Sequence, residues 1–386
     1  MPAAPPRPEP FTSYTDPAAL DDLRTRLRAT RWPDAPQDAG WSLGTDLEYL
    51  RELVAYWADE FDWPAQEAAL NRLPRFRVKL DEFGEFGIHI VHARAAAQPA
   101  LPLVLTHGWP DSFWRYSKVV ELLTDPAKYG ADPADAFDVV VPDIPGYGYS
   151  DRPAGPPLSS IEVAGLWAEL MTVLGYQKFG AAGGDIGSHV SRYLALDYPD
   201  RVVAVHRTDA GLFTGNPADL TSEEREWVAT VAAWGAAEGA YGAIHRTKPQ
   251  TAAFGLTDSP AGLAAWIVEK LRAWSDCGGD IERAFTKDEI LTNVTIYWLT
   301  ATIGSSMRMY KANAAIPPAQ LARRVDVPSG FSIFAGDVVA PPRAWLERTT
   351  NAVYVTEPAR GGHFAPFEEP ELYAQELRDF FRPYRL

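Results

Sequence analysis

The hydrophobic period of this chain changes along its length, and each change marks a different kind of element. Leu20, Leu23 and Leu27 recur at helical spacing in a segment, 13–30, that opens as a turn. Asp16 followed by Pro17 supplies an N-cap and then a proline at the first helical position. Leu47, Leu50, Leu53 and Trp57 predict a second helix over 46–60. The period then drops to two. Phe76, Val78 and Leu80 alternate with Arg77 and Lys79, and Ile88, Ile90 and His92 alternate after a glycine-containing turn, which predicts a β-hairpin. Ahead of these elements, residues 1–9 are proline-rich and predict an extended or loosely ordered start.

From about residue 100 the apolar runs become short and continuous. Runs at 101–106, 137–141, 179–182 and 202–205 have strand length, and helical patterns at 161–174 and 188–196 lie between them. Strands that are apolar throughout are buried on both faces, the mark of a parallel sheet. The alternation stops near Ala210, and a helical stretch rich in Trp and Ala runs to about Arg324. It then resumes with a strand at 331–334, a helix at 343–349, a strand at 352–355 and a last helix at 370–381. The economical reading is an α/β fold whose mostly parallel sheet is interrupted after its sixth strand by a helical lid. That divides the chain into an extension of helices and hairpin (1–95), a first core part (96–211), the lid (212–325) and a second core part (326–386).

Composition narrows the partners. The chain has 386 residues, 46% of them hydrophobic, enough for a sizeable core. Lys plus Arg is 36 against 51 for Asp plus Glu, and the resulting net charge of −15 disfavours nucleic acid. No apolar run is long enough to predict a transmembrane helix, and the first residues carry no apolar signal stretch. The single cysteine, Cys277, cannot form an intrachain disulfide and suits a reducing cytoplasm. A homodimer is expected only from how common symmetric pairs are among soluble proteins.

The candidate chemistry sits at the ends of the predicted strands. In Ala182-Gly183-Gly184-Asp185-Ile186-Gly187, small residues flank Asp185 at plus and minus two, between an apolar strand and a helix. This is the spacing of a nucleophile elbow, with aspartate where serine is usual. A carboxylate at a helix N-terminus stays ionised, so it can attack an electrophilic carbon and form an alkyl ester. His107-Gly108-Trp109-Pro110 follows the strand 101–106, where a backbone N–H from Trp109 and one from Ile186 would form an oxyanion hole. His363, in Gly361-Gly362-His363-Phe364, is placed as a general base. Asp337 follows the strand 331–334 and can orient that imidazole. Each motif alone has a plainer reading as a turn, a cap or a surface side chain. Their joint order of nucleophile, acid and histidine is what carries the signal. Asp209, after another predicted strand, is a competing candidate for the acid. There is no Cys/His cluster with zinc spacing and no phosphate-binding glycine loop, so no cofactor is expected.

These residues resemble the epoxide hydrolases of the α/β-hydrolase superfamily, above all the microsomal and juvenile-hormone branch. The likeness runs from about Pro10 to the end of the chain. It is carried by Phe11-Thr12-Ser13-Tyr14, His107 to Pro110, Gly184 to Gly187, Thr247-Lys248-Pro249-Gln250, Asp258-Ser259-Pro260, Tyr297-Trp298 through Met309-Tyr310, and Arg360 to His363 followed by Glu368-Glu369-Pro370. The resemblance implies an α/β-hydrolase fold with an N-terminal epoxide-hydrolase extension. It implies hydrolysis of an epoxide to a vicinal diol, with water as co-substrate, through an ester on Asp185. It also implies that Tyr241 and Tyr310 donate hydrogen bonds to the epoxide oxygen.

Two departures stand out: Asp337 replaces the Glu of those relatives, and His245 stands where they often have Gln. His245 and the Trp109 side chain are therefore pocket candidates, although His245 could equally face solvent. Lid residues Trp227, Trp234, Phe254, Trp266 and Trp274 favour a bulky apolar or aromatic epoxide, or else they are lid core. Bacterial relatives act on xenobiotic epoxides or on intermediates of antibiotic pathways. A dehalogenase is the competing enzyme, but its usual tryptophan after the nucleophile is Ile186 here. A ligand-binding hydrolase fold without turnover is the reading from outside enzymology.

Overall fold

The computed structural model describes residues 7–81, 85–209 and 219–385. The predicted start of the lid at 212, part of the hairpin turn and the first six residues lie outside that range. Among the described residues the strands form one nine-stranded sheet. Its strands are β1 (Glu9–Pro10), β2 (Arg75–Leu80), β3 (Phe86–Ala93), β4 (Leu101–Thr106), β5 (Phe137–Pro142), β6 (Phe179–Gly183), β7 (Val202–Arg207), β8 (Val325–Ser332) and β9 (Thr350–Thr356). The spatial order is β1-β2-β3-β5-β4-β6-β7-β8-β9. From β5 to β9 every pairing is parallel, and β1, β2, β3 and β5 pair antiparallel. This is an α/β-hydrolase fold with a mostly parallel sheet. The fully apolar run of β4 explains its place: all six residues are buried, and strands flank it on both sides.

Seven strands precede the lid among the described residues, because β1 adds a two-residue strand that the pattern did not announce. A helix at Trp63–Leu70 was also not predicted. It is alanine-rich with few buried positions, and its start is fixed by Asp62, whose side chain accepts the Ala65 N–H. β8 begins six residues before the predicted 331 and ends at Ser332. Its pairing with β9 shifts register around Pro328 and Gly330, residues that read as breakers in sequence. The helices Arg343–Thr349 and Pro370–Phe381 lie where the periodicity puts them. Beyond β7 the described lid is helical from Ser222 to Leu321, and Tyr241 and Tyr310 belong to its helices Ala240–Thr247 and Ile303–Asn313. Among the described residues no helix is long and apolar enough to cross a membrane.

A buried charged chain joins the N-terminal extension to the sheet. The Arg75 guanidinium lies 4.5–4.9 Å from the rings of Phe11, Phe113 and Tyr149. It donates to His89 Nε2 at 2.9 Å, so that nitrogen is an acceptor and the ring proton sits on Nδ1, 2.8 Å from Asp143. Asp143 also accepts the N–H groups of Phe113 and Tyr149 at 2.7 and 2.9 Å.

Candidate active site

β6 ends in a sharp turn, and Asp185 heads the helix Ile186–Asp197 with φ of 55°. That value is uncommon outside glycine and is a recognised form of local strain at functional sites. The turn needs close contact. A Cβ on Gly187 would overlap the Thr106 carbonyl of β4, and one on Gly108 would overlap Asp185 itself. Small neighbours therefore let the helix and the His107 loop close on the carboxylate.

The two oxygens of Asp185 face different partners. Oδ1 accepts the Trp109 N–H at 2.8 Å, and the Ile186 N–H also bonds the carboxylate. Oδ2 lies 3.4 Å from His363 Nε2, beyond an ordinary hydrogen bond. His363 Nδ1 meets Asp337 Oδ1 at 2.9 Å, and that oxygen also takes the Val338 N–H at 2.7 Å. Asp209 goes elsewhere: its Oδ2 accepts the backbone N–H of Asp185 at 2.9 Å, and its carbonyl accepts from Ser188 Oγ at 3.0 Å. The two candidate acids thus divide, one on the histidine and one on the elbow.

Charge follows from these contacts. Burial alone would raise Asp185, but the His363 imidazolium beside it, with the Ile186 and Trp109 N–H groups, brings it to about 2. Burial alone would lower His363, but Asp337 and Asp185 on its two sides raise it to about 10. The resting site is an imidazolium between two carboxylates.

Above them stands an aromatic wall. Trp109, fully buried, stacks on Tyr241 at 5.3 Å and 12° and meets Tyr310 edge-on at 6.1 Å. Burial raises both phenols, and the Asp185 charge acts on each in the same direction, so they keep their protons as donors. His245 is fully buried, 4.7 Å from Trp109 and 4.8 Å from Tyr310, and does not face solvent. Burial first, then the Lys270 and Arg246 charges, lower it to about 3. The lid aromatics separate into two groups. Trp274 lies 5.2 Å from both His363 and Tyr241, and Trp266 lies 5.9 Å from His245. Trp227 instead packs on Trp345 in a separate cluster, and Phe254 is 73% exposed. Only part of that aromatic set can shape a pocket.

Two family profiles match the chain: the epoxide hydrolase N terminus over residues 8–116 and the alpha/beta hydrolase fold over residues 102–253. A Stigmatella aurantiaca protein named as a candidate epoxide hydrolase is 42% identical, over 97% of this chain and 85% of its own length. Epoxide hydrolase 1 of Sus scrofa is 34% identical, over 96% of this chain and 88% of its own. The chain belongs to the epoxide hydrolase family. The crystal structure of juvenile hormone epoxide hydrolase from Bombyx mori agrees, with a TM-score of 0.87 at 26% identity, covering 98% of this chain and 95% of that one.

Two charged residues of this epoxide hydrolase escaped the sequence reading although they touch the site. Arg115 is fully buried, pairs with Asp111 at 2.5 Å and donates to the His363 carbonyl. Glu368 bonds the N–H groups on either side of His363. The only sequence signals were the four-residue spacing of Asp111 and Arg115 and the Glu368-Glu369-Pro370 motif.

Proposed function

We propose that this epoxide hydrolase opens its substrate by attack of Asp185 Oδ2, with Tyr241 and Tyr310 holding the epoxide oxygen. The observation that carries the reading is the division of the Asp185 carboxylate. Oδ1 is held by the Trp109 N–H, and Oδ2 lies beside His363. Attack forms the C–O ester bond and breaks the epoxide C–O bond. A phenol gives its proton to the new alkoxide, and the His363 imidazolium releases one that restores the phenol. The charge balance drives that release. Once Asp185 is an ester, His363 has lost one of its two anionic neighbours, its pKa falls, and it becomes a base.

Neutral His363, oriented by Asp337, then takes a proton from water. The hydroxide adds to the ester carbonyl, and the Trp109 and Ile186 N–H groups receive the oxyanion. Removing one such donor in other enzymes costs on the order of 3–4 kcal/mol. Collapse expels the diol, whose oxygen takes the remaining proton, and the cycle ends on carboxylate and imidazolium as it began. Serine would leave an ether here, with no carbonyl for water to attack. Trp109, His245, Trp266 and Trp274 beside the two tyrosines favour a bulky apolar or aromatic epoxide. In this reading residues 1–95 are the extension, 96–211 and 326–386 the core, and 212–325 the lid.

The test uses His363→Ala with styrene oxide, read by intact mass and peptide map. The expected result is an adduct of the epoxide's mass on the Asp185 peptide, absent in Asp185→Ala. Diol formation by Asp185→Ala, or an adduct elsewhere, would overturn the assignment.

A further inference from the structure

The backbone around His363 is held by more than its triad contacts. Glu368 Oε2 accepts the Gly362 N–H at 3.1 Å and the Asp276 N–H at 2.8 Å, and Oε1 accepts the Phe364 N–H at 2.8 Å. Gly362 and Phe364 are the two neighbours of His363. The His363 N–H itself goes to the Trp274 carbonyl at 2.8 Å, and the Gly361 N–H goes to Asp276 Oδ2 at 3.1 Å. Each N–H from Gly361 to Phe364 is thus taken by Glu368 or by the segment 274–276, at the end of the lid helix Pro260–Trp274. A carboxylate suits this position. Three converging N–H donors need several lone pairs, and bonds to a charged acceptor are about twice as strong as neutral ones. Glutamine would keep one acceptor oxygen and turn an NH2 group toward an N–H.

We propose that Glu368 is a positioning residue for ester hydrolysis: it fixes the His363 loop over Asp185 and ties that loop to the end of the lid helix. The proposal rests on the two-step reading above. Asp185 can attack without His363 acting as a base, whereas the second step needs the imidazole aimed at the ester carbonyl. Loss of Glu368 should therefore fall on the second step. Burial raises the Glu368 carboxyl to about 7, against the Asp276 and Phe364 N–H groups and the His363 and Arg115 charges. The comparison is accordingly made in alkaline buffer, where the carboxylate is charged.

The experiment is single-turnover reaction with styrene oxide, quenched and read by intact mass, in wild type, Glu368→Gln, Glu368→Asp and His363→Ala. In Glu368→Gln, ester formation should stay within about threefold of wild type, while ester hydrolysis slows about ten- to a hundredfold and the adduct accumulates. Glu368→Asp keeps the charge on a shorter arm and should fall between. Should Glu368→Gln be recovered unfolded, the same two rates in Glu368→Asp carry the test. Hydrolysis at the wild-type rate would overturn the proposal. So would equal slowing of both steps with a fall in melting temperature, which is the mark of a merely structural role. His363→Ala separates the two levels: if it forms no ester, the two-step reading has failed and this inference goes with it.

Discussion

Two histidines in this enzyme each meet a carboxylate through Nδ1, at 2.8 Å for His89 and the buried Asp143 and 2.9 Å for His363 and the partly buried Asp337. Their protonation is nevertheless pushed in opposite directions. Burial lowers His89, and its hydrogen bond to Asp143 does not overcome that. Burial also disfavours charge on His363, yet that ring rises to about 10. The difference lies at Nε2. His89 accepts there from the Arg75 guanidinium, so its second nitrogen has no place for a proton. His363 faces a second carboxylate, Asp185. The pair with a cation at its third position is thus a neutral strut, and in the proposed mechanism the pair with an anion there is the reactive centre. The remaining five histidines, His92, His107, His189, His206 and His245, are all lowered, with burial first among the causes.

The largest effect should come from the carboxylate that orients His363. Asp337→Asn is expected to cut kcat by about a thousandfold or more, because the imidazole loses its orienting charge. Steady-state diol formation measures this. Turnover near the wild-type rate would mean that Asp209 reaches His363 when Asp337 is neutral, and the comparison between the two pairs would then need a fourth group.

The same change at the strut should act on stability. Asp143→Asn removes the carboxylate that the buried Arg75 guanidinium reaches through His89, and the cost should approach the roughly 3–5 kcal/mol of breaking a buried pair. Urea unfolding would show it, while kcat of the folded fraction should change less than tenfold. A stable but inactive Asp143→Asn would instead make the network part of the chemistry, acting through Phe113 and the loop that carries Trp109.

How much of this was legible depends on whether the cause is local. The elbow was, because the steric demand at Gly183 and Gly187 falls within a few residues of Asp185. The continuous apolar runs of β4 to β7 were, because burial on both faces leaves no polar position. The choice between Asp209 and Asp337 was not. Both follow strands, and only the positions of β7 and β8 in the sheet decide which reaches His363. Arg75, Arg115 and Glu368 were illegible for a different reason. A buried charge looks like a surface charge in sequence until its partners, far along the chain, are known. Trp63–Leu70 lacked a clear stripe, and Pro328 and Gly330 hid most of β8.

The smallest effect sharpens the comparison most. At pH 8 the imidazole nitrogen NMR of the wild type should show one imidazolium among seven histidines. That signal should vanish in His363→Gln and persist in His89→Gln. Stability should follow the same division. His363 is raised from 6.5, so its stabilising interaction is fully present below pH 6.5 and is lost as the pH rises through about 10. Asp185 is depressed from 3.8, so its share is present above pH 3.8 and is lost as the pH falls through about 2. The ion pair is thus at full strength between those limits, roughly pH 4 to 6.5. His89 is lowered, so its neutral form costs stability progressively below pH 6.5. His363→Gln should flatten the alkaline limb of the stability curve by on the order of 1 kcal/mol and, by removing the partner that depresses Asp185, the acid limb below pH 3.8 as well, whereas His89→Gln should flatten the acid limb from pH 6.5 down and leave the alkaline limb unchanged. An alkaline limb unchanged by His363→Gln would mean that Asp185 does not hold His363 charged, and the two histidines would then belong to one class.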